Sequence, residues 1–299
     1  MVGLPQFQHN RDFGSAKCLA ILSRTQLILL DRFKELLPRV LPGIQIICPE
    51  DLKDMQRVVT RSHDTHELVL VIGGDGTLNR VLQHIDLGKQ VLAILPSGTG
   101  NDFATYLGFP AGLEQRVARL GQLTTQATDI GMIGDFRYIN SAGFGIDTET
   151  LQERERRRGI LRSNYNLLFL LALSRMQCSQ VRVTAGDFDE TGRFYWILGM
   201  NSALIGGGTR IAPDARIDDG LIDMLLIRET SKLDMVKLMP AAIKGRHIGR
   251  QMVEYRQVQS FRVESEEVIP MLAADGECYE WDSRIVEISC VSAGLRMLR

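Results

Sequence analysis

The sequence lacks any long apolar run: none of its 299 residues fall in a stretch near the ~20 hydrophobic positions that span a bilayer. It also has almost no net charge, −1 from 35 Lys+Arg against 36 Asp+Glu. No overall field therefore draws it to nucleic acid or to an anionic membrane, and any membrane attraction must be local. Cysteine is sparse. Cys18, Cys48, Cys178, Cys278 and Cys290 are odd in number and contain no CxxC pair, which disfavours a disulfide framework or a zinc site and fits a reducing compartment. His9, His63, His66, His84 and His247 are scattered without ligand spacing, and none is assigned chemistry. The first residues, MVGLPQFQHNRDFG, lack the basic-then-apolar order of a secretory signal. A cytoplasmic location is expected, with contact at the inner membrane face as the furthest excursion. No nucleic-acid partner is expected, and the oligomeric state is left open.

What is present is ordinary in bulk and specific in detail. Hydrophobic content of 44% and charged content of 24% suit a globular chain long enough for two domains. The organising stretch is residues 68–85, LVLVIGGDGTLNRVLQHI. Residues 68–72 read as a strand buried on both faces. Gly73, Gly74 and Gly76 then permit positive φ and remove every Cβ except that of Asp75. Thr77 is placed to cap a helix whose apolar face is Leu78, Val81, Leu82 and Ile85. Bare backbone feeding a helix N-terminus suits a phosphate. Asp75 would repel that phosphate unless a cation lay between them. The reading is a nucleotide phosphate site with Mg²⁺ nearby, and the alternative is a plain glycine turn.

Around this stretch, strands are expected at 17–22, 44–47 and 91–95, with helices at 26–37 (Leu27, Leu30, Phe33 and Leu37 inward) and 52–61. That alternation predicts a parallel sheet with crossover helices, whose ligands bind beyond the carboxyl ends of the strands. The run at 91–95 ends in a second small-residue turn, PSGTGNDF. There Thr99 can bond a phosphate, while Asn101 and Asp102 are either helix caps or holders of a metal-bound water. After a helix with Leu113, Val117 and Leu120, the pattern changes to short alternating strands, so a domain boundary is placed near residue 128. Two helices interrupt the second part, at 163–176 and 233–248, with Pro240 a kink or break in the latter. Asp218-Asp219-Gly220 reads as a hairpin turn in preference to a cation site. Ala274-Asp275-Gly276-Glu277 repeats the Asp-Gly signal, leaving Glu277 either an exposed strand residue or a general base. Arg154, Arg156, Arg157, Arg158 and Arg162 precede a leucine-rich run. They form either a solvated face or a patch for lipid headgroups or ATP phosphates.

GGDGTLN (73–79), LPSGTGNDFA (95–104), TDIG (128–131), GGGTRIAPDARIDDGLID (206–223) and ADGE (274–277) occur in that order. Together they resemble the diacylglycerol kinase catalytic family, in particular the soluble bacterial lipid kinases, over residues 17–299. GGDGT alone is shared with NAD kinases, whereas its combination with PxGTxND and a distant DGE is specific to the lipid kinases. The resemblance implies a Rossmann-like (NAD-kinase-like) α/β domain at 1–128, completed by the 290–299 tail. It further implies a β-sandwich-like lipid-substrate domain with helical insertions at 129–289, and a site in the cleft between the two. It also implies an ATP- and Mg²⁺-dependent lipid kinase acting on a diacylglycerol-like hydroxyl at a membrane surface. By resemblance, Gly73, Gly74, Asp75, Gly76, Thr77, Asn79 and Thr99 hold the ATP phosphates, and Glu277 is the general base. Asp219, with the carbonyls of Arg216 and Leu221, matches a structural Mg²⁺ site, and Asp75, Asp102 and Asp129 match residues that organise the catalytic Mg²⁺. The chain departs from the family at residues 22–26 (LSRTQ, where an Asn-Pro or Asn-Gly turn with a nearby Lys is usual), at Cys48 (usually Thr) and at Arg80 (usually Glu). Arg24 is a candidate substitute for the missing Lys.

Overall fold

The computed structural model describes residues 17–98, 100–157 and 165–299. Its first lobe alternates strands and helices: β1 (Cys18–Leu22), α1 (Leu30–Leu36), β2 (Gln45–Ile47), α2 (Leu52–Arg61), β3 (Leu68–Gly73), α3 (Asp75–Leu82), β4 (Val91–Pro96), α4 (Asp102–Tyr106) and α5 (Leu113–Leu120). The strands are parallel in the order β4-β3-β1-β2. Their apolar runs are continuous because both faces are covered. Val69 and Val71 pack with Met55, Val59, Leu78 and Val81 from α2 and α3. Leu68, Leu70 and Ile72 pack with Phe33, Leu36, Val117 and Leu120 from α1 and α5. The 2-residue side-chain period thus sorts one strand into two cores.

The second lobe is antiparallel. It comprises β5 (Thr125–Ile133), β6 (Phe136–Tyr138), β7 (Ser141–Gly145), β8 (Ser179–Ala185), β9 (Phe188–Met200), β10 (Ile222–Arg228), β11 (Val253–Val258), β12 (Ser260–Ala274) and β13 (Glu277–Leu298). Among the described residues three helices are inserted, α6 (Ile146–Arg156), α7 (Tyr165–Arg175) and α8 (Lys232–Ile243). Along β10, Ile222, Met224 and Leu226 face the inter-strand core, while Leu225 and Ile227 face the helices. The architecture is an α/β domain followed by a β-sandwich-like one. β13 links them: it pairs antiparallel with β12 and β5, then parallel with β4 through Arg296↔Val91 and Met297↔Leu92.

Several local expectations need correction. The chain after β1 opens as a 3-10 turn, Arg24–Leu29, so the helical face expected from residue 26 is rotated and Leu27 is 44% exposed. Pro240 does not end α8; it sits inside the helix, three residues from its end at Ile243. Having no N–H, Pro240 leaves the Val236 carbonyl, four residues earlier in the same helix, without its helical donor. The helix expected at 163–176 is described from Tyr165, and Arg158 and Arg162 lie outside the described residues. Asp218-Asp219-Gly220 is not a hairpin: it belongs to the long loop between β9 and β10.

Candidate active site

β3 and β4 are neighbours in register, Gly73 opposite Pro96, so the two glycine turns leave the sheet side by side. They touch through bare backbone. A Cβ on Gly98 would lie 2.6 Å from Gly74 Cα, and one on Gly74 would lie 3.1 Å from Gly98 Cα. Glycine is therefore required here for close approach, and none of Gly73, Gly74 and Gly76 has positive φ. Helix α3 starts at Asp75 with Gly74 as its N-cap, so Thr77 is a first-turn residue and not the cap. Thr77 instead packs on Gly73, where a Cβ would meet its side chain at 2.7 Å. In the second turn, Asn101 takes the left-handed conformation (φ 54°). Its Oδ1 accepts from Gly98 N (2.9 Å) and its Nδ2 donates to Gly98 O (2.6 Å), bracing the turn. Thr99 lies outside the described residues.

Beyond the turns is a cavity of about 500 Å³ walled by both lobes. Gly74, Asp75, Gly76, Gly100 and Asp102 come from the first lobe, and Arg154, Gly206, Gly207 and Glu277 from the second. Asp75 caps α4 from the neighbouring turn of the same lobe, accepting from Asp102 N (2.9 Å) and Phe103 N (3.2 Å). Burial, with the Asp102 charge second, pushes its carboxyl up to about 6. Asp102 accepts from Gly207 N (3.0 Å) and Gly208 N (2.7 Å), joining the lobes, and burial raises its pKa too. Two buried carboxylates that oppose each other's ionisation are relieved by a hard cation, and Mg²⁺ takes few protein carboxylates while keeping water. The pair fits Mg²⁺ in that sense. No cluster of three acidic, His or Cys groups suited to a metal occurs among the described residues.

Glu277 reaches the cavity because β12 and β13 close in a two-residue turn, Asp275 (φ 47°) and Gly276 (φ 81°), the twist-matched hairpin that Asp-Gly favours. Its carboxylate lies against the first turn of α3: a Cβ on Gly76 would be 2.6 Å from Glu277 Oε1. Arg80 Nη2 donates to Glu277 Oε2 at 2.9 Å. Helix α6 forms the facing wall with Asp147, Leu151 and Arg154, spaced one helical turn apart. Arg154 Nη2 donates to Gly276 O (2.8 Å), while its buried Nε has no partner among the described residues. Burial pushes Asp147 up to about 7.

Not every expected site residue belongs here. Asn79 is fully buried and spent on structure: Nδ2 donates to Asp275 Oδ2 (2.9 Å) and Arg137 O (3.0 Å), and Oδ1 accepts from Tyr279 (2.7 Å). Asp129 is buried off the cavity wall, accepting from Gly220 N (2.7 Å) and Ala293 N (2.6 Å). It braces the end of the β9–β10 loop, where Arg216, Asp219 and Leu221 do not line the cavity although Gly206 and Gly207 of the same loop do. Asp219 is exposed, its Oδ1 accepting from Leu221 N (3.0 Å). Arg24 donates to Glu50 O (2.5 Å). Within the basic cluster, Arg156 and Arg157 pair with Glu153, as does Arg175. Sequence reasoning passed over Asp147, whose i, i+4, i+7 relation to Leu151 and Arg154 was the available signal. It also passed over Asp275, which accepts from Ile139 N, Asn140 N and Ser141 N at 2.8–3.0 Å.

Comparison with known proteins follows the same two lobes. Residues 23–133 match the diacylglycerol kinase catalytic domain, and residues 140–297 match the YegS C-terminal NAD kinase beta sandwich-like domain. A probable lipid kinase YegS-like of Chromohalobacter salexigens is 31% identical over 72% of this chain and 71% of its own length. A diacylglycerol kinase of Bacillus subtilis is 26% identical over 71% of both. In three dimensions, the crystal structure of a putative diacylglycerol kinase from Bacillus anthracis superposes with a TM-score of 0.78 at 19% identity, covering 95% of this chain and 96% of that one. Yeast NADH kinase superposes at 0.50 and 9% identity, covering 94% and 82%, a likeness of fold alone.

Proposed function

The chain belongs to the diacylglycerol kinase catalytic family, and from that membership we propose that it is an ATP- and Mg²⁺-dependent lipid kinase that phosphorylates a hydroxyl of a diacylglycerol-like lipid. The observation that carries this reading is that Gly74 and Gly76, from the first glycine turn, share one cavity with Glu277 from the other lobe. In this reading residues 1–128, with the end of β13, form the nucleotide lobe, and 129–289 the lipid lobe. The backbone of Gly73, Gly74 and Gly76 at the start of α3 receives phosphate oxygens, with Thr77 beside it, and the family motif assigns Thr99 to the same phosphates. Asp75 and Asp102 hold Mg²⁺ through carboxylate oxygens and water, and the ion, when bound, neutralises charge on the transferred phosphoryl group. Glu277 takes the proton of the acceptor hydroxyl as that oxygen bonds to the γ-phosphorus and ADP departs. Asp219, Arg216 and Leu221 stand as a separate structural cation site. Asn79 and Asp129 serve the site by positioning: Asn79 ties α3 to the hairpin, and Asp129 fixes the 216–221 loop.

The test is purified chain with labelled ATP, Mg²⁺ and mixed-micelle lipids. Label extracted with the lipid supports the reading, and label on NAD supplied instead of lipid favours an NAD kinase. A second reading, a silent lipid- or nucleotide-binding regulator, is favoured by one observation: Arg80 already occupies Glu277 Oε2. If that pair masks the base, Arg80→Ala raises phosphorylation; if it orients the base, Arg80→Ala lowers it.

A further inference from the structure

Helix α8 buries one face and leaves another bare. Met235, Leu238 and Ala242 point into the core shared with α7 and β9. Leu233, Val236, Pro240 and Ile243 recur at i, i+3, i+7 and i+10 and are exposed, Leu233 by 72%. At 3.6 residues per turn these two stripes lie on nearly opposite sides of one helix. Leu170 of α7 is exposed as well. Lys232 borders the outward stripe on one side, and Lys237 and Lys244 on the other. Arg246 and Arg250 follow in the next loop. Lys237 pairs with Asp234 (3.1 Å), whereas Lys244, Arg246 and Arg250 are exposed with no acidic partner among the described residues. Residues 230–250 therefore carry five cations and one acid in a chain whose net charge is −1.

We propose that the outward face of α8 is a docking surface for an anionic lipid bilayer. The apolar side chains enter the acyl boundary and the flanking Lys and Arg meet the phosphate headgroups. Charge complementarity selects the occupant: an apolar stripe rimmed on both sides by cations suits an anionic interface. No helix among the described residues is long and apolar enough to cross a membrane, so attachment of this kind is peripheral. The surface also connects to the site. Lys232 Nζ ties the start of α8 to Ser174 O of α7 (2.5 Å), α7 packs on α6, and α6 lines the cavity.

The choice of a bilayer over a protein partner rests on the lipid-kinase reading, so the experiment reads binding without turnover. The full chain is sedimented with vesicles of phosphatidylcholine alone and of phosphatidylcholine mixed with phosphatidylglycerol. Binding is expected only to the mixed vesicles, falling with salt and falling about fivefold for each cation removed. The double variants Leu233→Glu/Val236→Glu and Lys244→Glu/Arg246→Glu should each lose that binding while melting with the parent, since all four positions are exposed. Both should phosphorylate a short-chain acceptor dissolved as monomers at the parent rate. Equal binding to both vesicles overturns the proposal, as does parent-like binding by either variant. So does a self-association of the chain that Leu233→Glu/Val236→Glu abolishes while vesicle binding is unchanged. If the parent phosphorylates no lipid yet binds vesicles as stated, the kinase reading fails and the docking surface stands.

Discussion

Glu277 and Asp75 share one cavity but answer to different physics. Glu277 sits at a strand start, half-open to the cavity, held on one oxygen by Arg80. Glu277→Gln keeps its shape and removes its basicity, so turnover should fall by roughly 10²–10⁴ with the melting temperature unchanged, read by label transfer and by calorimetry. Asp75 is governed by burial, which raises its carboxyl to about 6. Between about pH 4, where an unfolded Asp releases its proton, and about pH 6, the folded chain holds a proton that the unfolded chain has lost. The stabilisation is therefore complete below about pH 4 and disappears as pH rises through about 6. Asp75→Asn should melt above the parent at neutral pH without Mg²⁺, and with the parent below about pH 4. The same proton competes with the cation. Mg²⁺ affinity, measured by titration calorimetry, should weaken as pH falls through about 6.

At the scale of elements, two glycines that look alike in sequence should fail differently. A methyl on Gly98 would meet Gly74 backbone at 2.6 Å, which cannot yield without parting the two turns. Gly98→Ala should lower both the melting temperature and nucleotide binding. A methyl on Gly76 would meet only the end of the Glu277 side chain, also at 2.6 Å, and that side chain can swing. Gly76 also lies in the first turn of α3, where Ala is the better helix former by up to about 1 kcal/mol. Gly76→Ala should therefore keep or gain stability while losing turnover, a split that calorimetry and label transfer read together. These turns were legible in the sequence because strand, glycines and amphipathic helix are local and consecutive. Asp275 was not: its carboxylate is chosen by donors about 135 residues away in sequence and by Asn79, 196 away. The partners of Asn79 were hidden for the same reason, since a motif position gives a residue's address and not what its side chain bonds to. The hairpin expected at Asp218-Asp219-Gly220 failed because an Asp-Gly pair favours a tight turn without supplying strands to either side. At Asp275-Gly276 those strands exist, and the identical dipeptide closes them.

The molecule as a whole is held by a strand that belongs to neither lobe alone. β13 starts at Glu277 on the cavity wall and ends beside β4, so its first residue lines the proposed site and its last residues extend the parallel sheet. Leu295 and Met297 join the core over α2 and α3, and Leu298 joins the core over α1 and α5; all three are buried. Full burial of such side chains contributes about 1.5–3 kcal/mol each, so losing three removes roughly 4–9 kcal/mol, comparable to the 5–15 kcal/mol that typically stabilises a domain. β5 would lose Thr125 to Thr128 as partners in the same step. Removing residues 294–299 should therefore unfold the first lobe, although every glycine of the two turns remains. Hydrogen exchange resolves the outcome by region: amides of β3 and β4 should lose protection, while those of β9 and β10, which contact β13 in neither register, should keep most of theirs. Retained protection in β3 and β4 would mean that the parallel sheet closes without its last strand, and that the two lobes are separable units rather than one sheet shared between them.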